Sequence, residues 1–102
     1  MCVKNLLKET IFNLNHHGKT LDDVTHIFLD NQYQITKEDF IKAADEEYNS
    51  GYGCNYVKLG LVLLGEGFWM ERYEYDGAEW WIYREPYKIP TEFGDANAIW
   101  EY

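Results

Sequence analysis

A chain of 102 residues with 18 acidic and 9 basic side chains, a net charge of −9, and 46% hydrophobic content has room for one core and is too apolar to stay disordered. That charge disfavours direct contact with nucleic-acid phosphates and anionic headgroups, and favours basic partners, including proteins whose basic grooves hold DNA or RNA. Two cysteines, Cys2 and Cys54, are too few for a disulfide framework, no apolar run approaches the ~20 residues of a membrane span, and the first residues lack a signal-peptide core; the expectation is a single cytoplasmic domain over 1–102, without membrane contact.

Residues 3–16 read as a helix, with Val3, Leu6, Leu7, Ile11, Phe12 and Leu14 mostly at three- and four-residue spacing and Gly18 as its stop. His16 and His17 in the last turn suit the negative end of the helix dipole. Thr20 to Asp23 opens a short helical turn. Val24 to Leu29 is rich in β-branched and aromatic residues and reads as a strand, Asp30 to Gln32 as a turn, and Tyr33 to Ile35 as a short returning strand.

Thr36 is the expected N-cap of a second helix, with Asp39 three residues on as an acidic variant of the capping box. The spacing of Phe40, Ile41, Ala44 and Tyr48 carries that helix from Lys37 to about Asn49. Asp45, Glu46 and Glu47 would then crowd carboxylates at the wrong end of the dipole, which implies a compensating partner or indifference to stability there. Leu59 to Leu64 is an apolar run of strand length. Phe68 to Tyr75 and Ala78 to Glu85 flank Asp76-Gly77, a strong short-range hairpin signal because a type I′ turn needs positive φ at both central positions. After Pro86 and Pro90, residues 96–102 read as a short helix or a tail docked through Ile99, Trp100 and Tyr102. The fold class expected is α+β, with two helices and a small antiparallel sheet ending in an aromatic hairpin over 68–85.

Counting outward from the turn pairs Tyr75 with Ala78, Tyr73 with Trp80, Glu71 with Ile82 and Trp69 with Arg84 on one face. The other face pairs Glu74 with Glu79, Arg72 with Trp81, Met70 with Tyr83 and Phe68 with Glu85. Large aromatics stand on both faces. Either the hairpin is packed on both sides, or one side is an exposed aromatic platform. Arg72 opposite Trp81 predicts a cation–π contact, and Glu74 opposite Glu79 places like charges together. Residues 66–102 hold nine acidic and three basic side chains, a concentration suited to an Arg-rich surface.

No chemistry of another kind emerges. Cys2, His16, His17, His26 and Cys54 have no zinc-ligand spacing. Ser50, the only serine, lacks a nucleophile-elbow context. Gly51-x-Gly53 and Gly65-x-Gly67 lack the remaining parts of a phosphate loop. The expectation is a protein without enzymatic activity, cofactor or metal.

The run Trp69 to Trp81, with its Glu74-Tyr75-Asp76-Gly77-Ala78-Glu79-Trp80-Trp81 core, is preceded by Ile35 to Phe40 and by Glu47 to Gly53. Over about residues 20–86 the chain is similar to small uncharacterised acidic proteins of phages and mobile elements of Gram-positive bacteria. That resemblance implies an accessory role, and proteins of this kind include inhibitors of host defence such as anti-CRISPR proteins. The function expected is therefore an inhibitor or modulator binding a basic surface on a nucleic-acid-handling host protein, such as a CRISPR effector. Its binding residues would be Trp69, Glu71, Tyr73, Glu74, Asp76, Glu79, Trp80 and Trp81. The alternatives are a homodimer or larger assembly formed through the aromatic hairpin and, further off, a small ligand-binding module.

Overall fold

A computed structural model describes residues 3–49, 56–86, 89–92 and 94–101. The elements are β1 (Val3–Asn5), α1 (Leu6–His16), a 3-10 turn at Leu21–Asp23, β2 (Val24–Leu29), β3 (Tyr33–Gln34), α2 (Lys37–Ala44), β4 (Glu47–Asn49), β5 (Leu61–Gly65), β6 (Phe68–Tyr75) and β7 (Ala78–Arg84). Five strands form one antiparallel sheet in the order β3-β2-β5-β6-β7, and β1 pairs with β4 in a separate two-stranded ribbon. The class is α+β, as the hydrophobic periods require. None of the described helices is long and apolar enough to cross a membrane.

Two expected helices are shorter than their patterns suggested. The first begins at Leu6, because Asn5 is its N-cap: the Asn5 side chain accepts a hydrogen bond from the Lys8 N–H at 3.0 Å, satisfying one of the orphan donors of the first turn. Residues 3–5 instead pair with 47–49. The second helix starts at the Thr36 cap, whose hydroxyl accepts from the Asp39 N–H at 3.1 Å, but ends at Ala44. The acidic run at 45–47 therefore lies beyond the helix. Asp45 accepts from Asn5 Nδ2 at 3.0 Å, and the Glu46 carbonyl accepts from the Leu6 N–H at 3.2 Å. The compensating partner is the start of α1.

Both helices lie on one face of the five-stranded sheet. Leu14 of α1 and Phe40 and Ala44 of α2 join Val24, Ile27, Leu61, Leu63, Phe68, Met70 and Trp81 in a single buried cluster. The register explains why these strand residues agree: Ile27 pairs with Leu63, Leu63 with Met70, and Met70 with Tyr83, so one row crosses four strands on the helix side. Each fully buried aliphatic or aromatic side chain in this row contributes roughly 1.5–3 kcal/mol of transfer free energy. Gly65 is required beside it, since a Cβ there would sit 2.1 Å from the Phe68 ring and 2.5 Å from the Asp23 carbonyl oxygen.

The hairpin forms as counted. Asp76 and Gly77 have φ of 51° and 86°, the left-handed pair of a type I′ turn, and the β6–β7 register is Trp69↔Arg84 through Tyr75↔Ala78. The C-terminal expectation is not met. Over 94–101 there is no helix or strand, and Ile99 and Trp100 are 88% and 71% exposed, where a docked tail would bury them. Tyr102, Cys2, Cys54, Ser50 and the glycines at 51 and 53 lie outside the described residues.

Candidate functional site

The strand alternation splits the eight candidate residues between two faces and a tip. Glu79 and Trp81 lie on the helix side and are buried to 1% and 3% exposure. This corrects the expectation that they share a surface with the others, and the reason is the period of two along β7. The Glu79 carboxylate accepts from the Tyr56 N–H at 2.7 Å, the Val57 N–H at 3.0 Å and Arg72 Nη2 at 3.0 Å. Arg72, itself fully buried, also contacts Glu9 at 3.3 Å and donates to the Tyr48 hydroxyl at 3.0 Å, while Tyr48 donates to Glu9. Its guanidinium lies 4.9 Å from the Trp81 ring centroid, the cation–π contact expected. Trp81 Nε1 donates to Thr10 Oγ1 at 2.9 Å.

This cluster fastens the hairpin to α1, to β4 and to the loop at 56–57. Burial, followed by the hydrogen bond to Glu9, raises the Tyr48 phenol well above its ordinary value. At the other end of α1, His17 stacks on Tyr83 with ring centroids 3.8 Å apart and Tyr83 stacks on Phe68. Tyr83 is likewise raised, by burial first and then by Glu85.

The opposite face of the sheet is the one that does not carry the buried cluster. Row by row it presents Phe28, Val62, Glu71 and Ile82, then His26, Leu64, Trp69 and Arg84, then Tyr73 with Trp80. All are half-buried or exposed; Tyr73 and Trp80 are 44% and 36% exposed, with centroids 5.3 Å apart. Glu71 accepts from Trp69 Nε1 at 3.0 Å and from Arg84 Nε at 3.2 Å, so its charge is compensated locally. Two further carboxylates lie near the hairpin tip: Asp76 is exposed in the turn, and the half-buried Glu74 accepts from the Gly77 N–H at 3.1 Å. That bond, with Glu79 held by Arg72, relieves the like-charge pairing across the strands.

The structure thus brings Trp69, Glu71, Tyr73 and Trp80 together on one face with Asp76 in the turn at its end, while Glu74, opposite Glu79, lies half-buried on the helix side of the hairpin. Sequence reasoning missed Phe28, Val62 and Leu64, whose contribution depends on pairing between distant strands. Two grooves adjoin the helices. One, of about 540 Å³, is lined by Leu6, Leu29, Phe40, Ala44, Tyr48 and Val57 among others. The other, of about 530 Å³, runs between α1 and β7 past Lys4, Lys8, Phe12, Trp80 and Trp81. No group of three or more metal-ligating side chains occurs among the described residues. Comparison of the chain with protein-family models, curated proteins and solved structures finds no match in any of the three.

Proposed function

We propose that this chain is a binding protein that docks the open face of its sheet, led by the hairpin tip, onto a basic surface of another protein, and so inhibits or modulates it. The observation carrying this reading is the exposed pair Tyr73 and Trp80, with half-buried Trp69 and Glu71 on the same face and the exposed carboxylate of Asp76 in the adjoining turn. Rigid aromatics of this kind anchor interfaces, and carboxylates at the rim steer association with a cationic partner. Proteins that handle nucleic acid present surfaces of that sign.

The test is affinity capture from a bacterial lysate with the parent chain and with a Glu71→Gln, Glu74→Gln, Asp76→Asn variant. These changes remove charge and keep geometry, since a glutamine in place of Glu74 retains an acceptor for the Gly77 N–H and asparagine tolerates the left-handed backbone of the turn. The variant is expected to lose the captured protein at lower salt than the parent. Identical capture and identical salt elution would refute the reading.

A second reading has its own support. The middle of the open face is apolar and locally neutral, with Phe28, Val62, Leu64 and Ile82 around the Glu71–Arg84 pair, and such a surface suits a second copy. Sedimentation separates the two readings.

A further inference from the structure

The chain has two arginines, Arg72 and Arg84, and each sits beside an aromatic side chain and on a carboxylate. On the helix side the Arg72 guanidinium lies 4.9 Å from the Trp81 ring centroid and 5.8 Å from that of Tyr48, and it pairs with Glu79 and Glu9. On the open face Arg84 stands opposite Trp69 in the ladder and donates to Glu71 at 3.2 Å, a carboxylate it shares with the Trp69 indole N–H. A planar, weakly hydrated guanidinium suits such settings, because it lies flat on a ring while its N–H groups reach an acceptor.

A third set of the same composition stands at the hairpin end of the open face. Tyr73 and Trp80 are paired across the strands with their rings inclined at 53°, so neither ring covers the face of the other. Tyr75, 68% exposed, makes no ring contact with a described residue. It faces Ala78, which precedes Trp80 by two positions on the same side of β7, so the Ala78 methyl is the one small side chain among three rings. Diagonal neighbours on a sheet face are about 7 Å apart, roughly twice the contact distance of stacked carbon atoms. The Tyr75 and Trp80 rings can therefore hold one flat group between them, and the exposed Asp76 follows Tyr75 in the turn. Among the described residues no Lys or Arg lies over any of these three rings. Lys4 and Lys8 border Trp80 only on its α1 side, where the Lys4 ammonium is 3.9 Å from Glu9.

We propose that Tyr73, Tyr75, Trp80 and Asp76 receive one arginine side chain of the partner protein. Its guanidinium lies over Ala78 between the rings of Tyr75 and Trp80, with Tyr73 alongside, and Asp76 meets its charge. This rests on the function proposed above for the source of the arginine, whereas the receptor itself is a property of the isolated chain. Lysine is the poorer ligand, since its ammonium is compact, strongly hydrated and unable to stack.

The experiment titrates the purified full chain, labelled with nitrogen-15, with N-acetyl-arginine amide, N-acetyl-lysine amide and N-acetyl-citrulline amide, the last an uncharged copy of the first. The arginine probe is expected to move the Trp80 indole resonance and the amides of residues 73–80 in a saturable way. The lysine probe should bind about two- to fivefold more weakly, and the citrulline probe should give no saturable response. Asp76→Asn, which keeps the left-handed turn, and Trp80→Leu should each weaken the arginine response about two- to fivefold, the worth of one exposed ion pair or cation–π contact. Ala78→Val fills the space between the rings without removing a ring or a charge. It should weaken the response likewise at an unchanged melting temperature, and it keeps the test decisive if Trp80→Leu loosens the hairpin. Shifts centred on Trp69 and Glu71, a response that does not separate arginine from lysine and citrulline, or no saturable response would each overturn the receptor. Lysate capture that depends on Tyr73 and Trp80 without any arginine response would sink the receptor and leave the proposed function standing; an arginine response without capture would do the reverse.

Discussion

Arg72 and Glu79 lie diagonally across the β6–β7 ladder and form an ion pair of 3.0 Å in which neither side chain reaches solvent. The position of Glu79 in the tertiary structure follows from that pair. Its remaining lone pairs take the backbone N–H groups of Tyr56 and Val57, which satisfies the demand that a buried carboxylate be both paired and hydrogen-bonded.

Arg72→Met would leave Glu79 and the largely buried Glu9 without their shared cation. A loss of about 3–5 kcal/mol is expected, read as a lower urea midpoint at unchanged slope. Glu79→Gln should be milder, since two backbone donors still find an acceptor. A double-mutant cycle between 72 and 79 should show a coupling of about 0.5–3 kcal/mol.

Thr10 accepts from Trp81 Nε1 and donates to the Leu6 carbonyl at 2.7 Å. Thr10→Val keeps the shape but strands a buried indole N–H, so about 1–3 kcal/mol should be lost. Thr10→Ser should recover most of it in the same denaturation experiment.

Tyr48 gives the fold an alkaline limit. The folded state holds the phenol proton above the ordinary value of 10.0, through burial first and Glu9 next. An unfolded chain therefore releases that proton first, and the stabilisation, complete below about pH 10, declines as pH rises further. Thermal melts between pH 8 and 11 should show this decline in the parent. It should be shallower in Tyr48→Phe, which starts from a lower stability because Arg72 loses its hydroxyl acceptor.

If the open face serves a basic partner, the free protein should be a monomer at tens of micromolar, kept apart by its charge of −9. Sedimentation equilibrium at low and moderate salt measures this directly. A tight dimer in which Trp69 and Trp80 are shielded from a soluble quencher would support the self-assembly reading instead.

Local chemistry was legible where the sequence states it locally. Asp76-Gly77 specified a turn type, the turn specified the register, and the register placed Arg72 against Trp81 and Tyr73 against Trp80. Thr36 likewise marked the start of α2. The two misplaced helix boundaries share one cause: apolar spacing does not reveal where a cap intervenes. Asn5 ends the strand and begins α1, and Tyr48 fits the α2 period although it belongs to β4. The open face was legible only along the hairpin. That Phe28 and Val62 continue it depends on β2 meeting β5 across an intervening helix, a long-range pairing that no short window contains. The burial of Glu79 was half visible, since counting put it on the face of Arg72, but its backbone donors come from residues 22 and 23 positions away.

The most direct measurement is lysate capture by a Tyr73→Ser, Trp80→Ser variant beside the parent, with melting temperatures recorded for both. These two rings contribute little to the buried cluster, so the fold should persist while the captured protein is lost. Equal capture by a variant that melts like the parent would show that the sheet's uncovered side is not where another macromolecule binds.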